Sequence, residues 1–433
     1  MKRIIAFLLV ITMCLGLAAC GRESRKEQTE PIQEKVSLRV VTSYGGDDGN
    51  RGVYESAIAS YEAVTGVKII DASSASNEEW KNTVITDFMT GSEPDVLFYF
   101  TNADADPFIN AGKVVSIEEI REEYPDYATN MKQSMMAVAA DGLHYAVPSA
   151  GFWEGMFVNK AVLDACDIPV PGPDYTWEQF LSDCEKIKNA GYTPIACSLF
   201  EIPHYWFEFM VMNNGSLSTQ LEVPTLDRDG NLVDNEVSRK WISALEDIRM
   251  LYRAGYFPEN TLTATDTETV DMFGDGEAAF LIDGSWKVGY LTKNYSTKLR
   301  NFVVSYVPGK GERLASETIG GISMGYFITR KAWNDPAKRE AAVAFVFHMT
   351  SEEVLSNFVT TEVTALVNGA APIGLNTIQQ SAAQANINIT GVVGAVQDTI
   401  SSEAKSDLFA SIQKVVTGQM TAEEAVESAI RLN

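Results

Sequence analysis

The 433 residues carry 58 acidic against 34 basic side chains, a formal charge of −24, and 45% of them are hydrophobic. So acidic a chain repels nucleic acid and anionic lipid head groups, which excludes both as partners and leaves solubility as the consequence of the charge. About 400 residues beyond the N-terminal segment are more than a single hydrophobic core serves, so two lobes are expected.

The chain opens with Lys2 and Arg3, an apolar run from Ile4, and Leu17-Ala18-Ala19-Cys20. This pattern is a secretory signal over residues 1–19, too short to stay as a membrane span. Its last four residues resemble the bacterial lipobox, which implies cleavage before Cys20 and a diacylglyceryl group on the Cys20 sulfur. Residues 20–35 are polar and charged and read as a tether. Losing Lys2 and Arg3 leaves 32 basic against 58 acidic residues, a charge of −26. Beyond Cys14 and Cys20, only Cys166, Cys184 and Cys197 remain. Their odd number and the lack of C-x-x-C spacing give neither a disulfide framework nor a zinc site; one bridge among the three stays open.

From Val36 the hydrophobic period alternates. Val36–Ser43 reads as a strand, and Gly52–Thr65 as a helix with Val53, Ala57, Ile58, Tyr61 and Val64 on one face. Val67–Asp71 is again strand-like. Asn77 caps a helix in which Trp80, Val84 and Phe88 repeat every four residues before Gly91 ends it. Asp95–Phe100 is a continuous apolar run of the kind buried on both faces of a parallel sheet. Strand, helix, strand, helix, strand means a doubly wound α/β unit, whose ligands bind outside the carboxyl ends of the strands. Those ends carry Tyr44 and Asp47, then Ser73 to Asn77 with Glu79 just beyond, then Asn102 and Asp104. The loops are rich in hydrogen-bonding groups and poor in lysine and arginine, which suits a neutral polyhydroxyl ligand or a cation better than a phosphate.

Leu143–Lys160 begins as a strand, is interrupted by Pro148, passes Gly151 and meets Phe152, Trp153 and Glu154 before resuming. An inter-lobe crossing at Val147–Ser149 is expected, with the aromatics and the carboxylate beside it. Alternation puts Trp153 on the opposite side from Phe152 and Glu154, so only one set faces a cleft. Thr176 and Gln179 form a capping box, with Tyr175 and Phe180 at staple positions. Tyr192–Ser198 reads as a strand, followed by an aromatic and acidic cluster from Glu201 to Trp206. Asp227–Asn231 resembles a calcium loop only briefly: glycine stands fourth, and Ser238 holds the place of the bidentate acid, so a turn at Asp229-Gly230 is the reading. After a turn and a short apolar strand come Asp283, Gly284, Ser285 and Trp286. Further strands are expected at Phe302–Pro308 and Ile322–Thr329, and helices over much of the remainder.

Nucleophile, zinc and phosphate motifs are missing: there is no H-E-x-x-H, G-x-S-x-G or G-x-x-x-x-G-K-[ST], and the three histidines are scattered. No cofactor and no metal are expected. A carboxylate pair for glycoside hydrolysis, such as Glu154 and Glu201, is compatible with the sequence, since its separation is a property of the fold.

Several stretches together resemble family 1 extracellular solute-binding proteins, the carbohydrate-binding lipoproteins of bacterial ABC importers with the maltose-binding protein fold. They are Leu17–Cys20, Thr90–Val96, Tyr145–Pro148 with Val158–Lys160, and Thr176–Phe180 with Ala190–Ile195. Phe273–Phe280 with Gly284–Trp286, and Val416–Gly418 with Thr421–Ala425, complete the set. The resemblance implies a two-lobe α/β fold of periplasmic-binding-protein type II, each lobe a doubly wound sheet flanked by helices, hinged by several crossings and closing over its ligand. It divides the chain into residues 36–147 plus 300–330 and residues 148–299 plus 331–433. It also implies a lipid-anchored monomer on the outer face of the membrane, a carbohydrate ligand, and ABC permease subunits as partners. Trp286 maps to the tryptophan that family members place against a sugar ring. Asn102 to Asp104 and Glu201 to Trp206 fall where the family binds ligand, and Trp153, Glu154 and Asp283 adjoin that region. Flat aromatic rings suit the C–H faces of a pyranose, and acidic or amide side chains suit its hydroxyl rim. A glycoside-active enzyme and a ligand-presenting sensor subunit are the alternatives.

Overall fold

The first five elements, three strands and two helices, follow the alternation of the sequence. In this computed structural model, which describes residues 36–46, 48–201, 203–322, 324–358, 361–369 and 374–433, β1 (Ser37–Val41) runs parallel to β2 (Lys68–Asp71) and to β3 (Val96–Phe100). The leader, the lipobox with Cys20, the tether and Asp47 lie outside the described residues. Two helices join these strands, α1 (Arg51–Thr65) and α2 (Glu78–Thr90). Asn77 caps α2 by accepting the Trp80 amide at 2.8 Å, and Gly91 ends it in the left-handed conformation at φ 75°, open to glycine without steric cost.

The first sheet has the order β2-β1-β3-β10-β4, where β4 is Val147–Pro148 and β10 is Met324–Ile328. Strand β10 is antiparallel to both neighbours, with Tyr326 opposite Phe98 on one side and Val147 on the other. Apolar clusters cover both faces. One contains Tyr54, Tyr61, Phe98 and Phe345, and the other contains Trp80, Phe88, Tyr99 and Phe108. Burial on both sides is why Val96–Tyr99 shows no alternation.

The second sheet is built on β5 (Gly151–Asn159). Its order is β11-β9-β5-β7-β6, with β8 also on β5. The antiparallel partner β7 (Ala278–Gly284) sets Glu154 opposite Gly284. On the other edge β5 pairs first with β9 (Glu317–Ile322) and then with β8 (Phe302–Ser305). Strand β6 (Thr193–Ala196) runs parallel to β7, and β11 (Gly391–Val393) parallel to β9. Around this sheet stand α3 (Trp177–Asn189), α4 (His204–Asn213), α5 (Glu236–Arg253), α6 (Asp266–Asp275) and α7 (Trp286–Asn294). The Thr176–Gln179 capping box forms on α3, and the Tyr175 and Phe180 rings meet edge to face at 6.3 Å. Asp227–Asn231 forms the turn, with Gly230 at φ 83° and Leu226 bridging Leu232.

Two expectations need correction. Strands β8 and β9 do not join the first sheet: β8 hydrogen-bonds to β5 with Met156 opposite Ser305. Conversely α8 (Pro336–Met349) and α9 (Glu352–Phe358) pack on the first sheet, where the Tyr61 hydroxyl donates to the Ala341 carbonyl at 2.8 Å. The division at residues 300 and 331 therefore fails. A short apolar strand carries no mark of which sheet edge it fills; only its hydrogen-bond partner decides. The chain passes between the lobes at Ser149–Ala150, between β9 and β10, and between α9 and α10 (Thr377–Ile387). The last helices, α11 (Ser402–Thr417) and α12 (Ala422–Arg431), return to the second lobe, and residues 36–433 form one unit. Cys166, Cys184 and Cys197 are free thiols. Among the described residues no helix is long and apolar enough to cross a membrane.

Candidate functional site

Alternation along β5 decides which side chains reach the space between the lobes. Phe152 and Glu154 share one side: the Phe152 ring lies 6.2 Å from that of Trp286, and Glu154 is buried at 4% exposure against Glu208. Trp153 takes the other side. Its ring stacks on Phe157 at 6.0 Å and its Nε1 donates to the Thr361 carbonyl at 3.2 Å, so it belongs to the core beside the third crossing and not to a binding wall.

Trp286 stands on the first turn of α7 and is 39% exposed, unusual for so large a ring. Its six-membered ring lies over Gly284, where an added Cβ would come within 2.2 Å of it. Glycine is required there for the ring to lie flat against the end of β7. Tyr205 on α4 completes the wall, 6.2 Å from Trp286 on its own side. Tyr205 was reached in the sequence only as part of an aromatic cluster.

Behind this wall lie acids. Glu208 is fully buried, its Oε1 accepts from Gln397 Nε2, and its pKa is pushed well up by burial and by Glu154. Burial likewise lifts Glu154 far above the ordinary carboxylate range. Asp283 is raised to about 7, chiefly by burial, with Lys287 opposing the rise. Lys287 Nζ sits 2.5 Å from Asp266 and 3.6 Å from Asp283.

The first lobe reaches across through the loop after β3. Asn102 caps a short turn by accepting the Asp104 amide at 3.0 Å, and its Nδ2 donates to Asp398 at 2.8 Å. Asp104 accepts from Ser402 Oγ at 2.8 Å and from Lys405 Nζ at 3.2 Å, both on α11. Burial would raise the Asp104 pKa, but Lys405 and Lys81 together hold it below its ordinary value. The lobes also touch through backbone: a Cβ on Gly49 would fall 2.7 Å from the Gly289 carbonyl carbon. A cavity of about 260 Å³ on the first lobe, lined by Thr101, Asp106, Tyr145 and Phe327, shares Asn102 with this junction.

Other expected contacts are placed elsewhere. Tyr44 stacks on Phe98 at 5.0 Å within the first-lobe core. Trp206 is buried between Phe180 and Phe257, each 5.9 Å away, because the aromatic run of α4 turns only Tyr205 toward the wall. Glu201 is exposed and accepts the Asp266 amide at 2.6 Å, capping α6. Glu79 is exposed on the first turn of α2. Glu208, Gln397, Asp398 and Lys405 were missed. A signal existed for Glu208, a lone acid within the apolar run Trp206–Met212; Gln397 and Asp398 carry none.

Two α/β lobes joined by three crossings, with an exposed tryptophan and buried acids at their junction, define a two-lobe ligand-binding protein. Residues 56–372 match the family model described as bacterial extracellular solute-binding protein, and the chain belongs to that family. No curated protein matches the sequence. Among solved structures it is similar to a chitin oligosaccharide binding protein, at 20% identity over 92% of this chain and 98% of that one, with a TM-score of 0.78. The maltose/maltodextrin-binding domain MalE from Bdellovibrio bacteriovorus, bound to maltotriose, gives 18% identity, coverages of 92% and 98%, and a TM-score of 0.70. SBP RafE in complex with raffinose gives 17%, 92% and 99%, and 0.71. At such identities the likeness establishes the fold.

Proposed function

We propose that this solute-binding protein captures a sugar or short oligosaccharide between its lobes and passes it to an ABC importer, tethered outside the membrane by lipid on Cys20. The observation that carries the reading is Trp286, a half-exposed ring laid flat over Gly284 and flanked by Phe152 and Tyr205. Such a surface suits the C–H face of a pyranose, and the neighbouring carboxyl and amide groups suit its hydroxyls. The sugars named for the similar structures support the same ligand class. A binder, not a hydrolase, is the reading of the acids: Glu201 caps α6 while Glu154 is buried against Glu208, so the two do not face one another as an acid pair. The protein works as a monomer with permease subunits as partners.

Calorimetry of the mature chain against mono- and oligosaccharides tests this. Dissociation constants in the micromolar range, about −8 kcal/mol, are expected for at least one sugar. Binding of none overturns the assignment, and release of shortened products on long incubation would restore the enzyme reading. Cys20→Ala should shift the protein from the membrane fraction to the medium.

A further inference from the structure

The floor beneath the aromatic wall holds acceptors in excess of donors. Glu154 and Glu208 are 4% and 0% exposed and share one hydrogen bond between their carboxyls; apart from that shared proton Oε2 of each meets no donor, and neither does Oε1 of Gln397, which is 6% exposed. Gln397 has already turned its amide nitrogen to the other Glu208 oxygen. The lysines that reach this region are divided among other acids. Lys287 serves Asp266 and Asp283, and Lys405 serves Asp104, with Asp398 at 3.8 Å. Among the described residues no lysine, arginine or histidine pairs with Glu154 or Glu208. Two adjacent carboxyls out of water cannot both ionise without a cation, and removing such charges from water costs several kcal/mol each.

Above this floor stand three rings. Phe152 and Tyr205 each lie 6.2 Å from Trp286, and Trp286 covers Gly284, the register partner of Glu154. Aromatic faces around a carboxylate floor attract a positive group by their quadrupoles as well as by charge. A neutral hydroxyl brings an acceptor with every donor and would leave the excess in place; an ammonium brings three donors and no acceptor. Among the described residues no three acid, histidine or cysteine groups are set to hold a metal ion, so an organic cation fits better.

We propose that the ligand presents a protonated amine to Glu154 and Glu208, with its ring on Trp286: an amino sugar, free or as a unit of a short oligosaccharide. This deepens the sugar reading above and rests on it. A sugar without the amine leaves the two glutamates with only the proton they share and no cation, which is the basis of discrimination.

The test is calorimetry of the full mature chain at pH 7 with glucosamine, galactosamine, mannosamine and chitosan oligomers of two to four units. Each is compared with its N-acetylated and its neutral hydroxyl counterpart of equal length. At least one free amine should bind tenfold or more tightly than both counterparts, and Glu208→Gln should erase that difference. Equal or tighter binding of the neutral or N-acetylated forms overturns the amine and leaves the sugar reading standing. If no sugar of either kind binds, both fall. The unmodified chain alone decides between these outcomes, so a poorly folding variant does not obscure them.

Discussion

Trp153 on β5 and Trp286 on the first turn of α7, just past the neighbouring strand β7, meet opposite fates. Trp286→Ala removes an exposed ring, so affinity should fall tenfold or more in calorimetry while the melting temperature changes by no more than about 1 °C. Trp153→Ala empties a buried site, while Asn386 Nδ2 still donates to the Thr361 carbonyl at 3.1 Å, so the lost packing should cost about 3–5 kcal/mol in denaturant unfolding. Titration gives a second signature. Unfolded aspartate titrates near about 4, whereas Asp283 in the folded chain is raised to about 7. Across that window the folded state keeps a proton that the unfolded state has lost, so stability is complete below about pH 4 and declines as pH rises toward 7. Glu154 and Glu208, also raised by burial, add to the decline with rising pH. Asp104, held low by Lys405 and Lys81, acts only on the acid side, where its contribution is lost as pH falls below about 4. The ligand-free protein should therefore melt about 3 °C or more higher at pH 5 than at pH 8 by circular dichroism. Equal melting temperatures would mean that these acids are solvated.

At the level of elements the sequence was a good guide wherever local chemistry sets the outcome. Asn77 and Thr176 cap the helices their spacing promised, and Pro148 and Gly151 do interrupt Leu143–Lys160 between β4 and β5. Period-two alternation already separated Trp153 from Phe152 and Glu154; hydrogen bonding and ring contacts supplied the direction. What local pattern could not give was α4, where nine residues from Tyr205 to Asn213 are all buried and no face announces itself. Trp206 and Tyr205 look alike in such a run, and only tertiary packing sends one to the core and the other to the wall. Thr176→Ala should cost about 1 kcal/mol through the lost cap and leave ligand affinity unchanged, since α3 contributes nothing to the wall. Gly284→Ala should do the reverse, displacing Trp286 and weakening binding tenfold or more with little change in unfolding free energy.

For the whole molecule, two lobes followed from length and from the alternation of strand and helix. The boundaries did not, because β8, β9, α8 and α9 are ordinary apolar segments whose allegiance depends on partners hundreds of residues away. The residues between α9 and α10 were not recognised as a crossing for the same reason. Across the junction Asp104, Ser402 and Lys405 hold the lobes together. Lys405→Ala should loosen that grip, so the ligand-free radius of gyration from small-angle scattering should rise by about 1 Å and return to the unmodified value when ligand is added. No change without ligand would show that the ion pair has no influence on closure.

Gly49 and Gly289 meet through bare backbone, with no side chain between them to yield. Such a contact is a rigid stop: the angle at which the lobes come to rest is fixed by the main chain, not by whatever lies between them. If the protein hands cargo to a transporter as proposed, every cargo thin enough to let the glycines meet is displayed in one outward shape, and a transporter reading that shape would learn that the carrier is full without learning what it carries. A cargo too bulky for the stop to engage would be held and yet go unread.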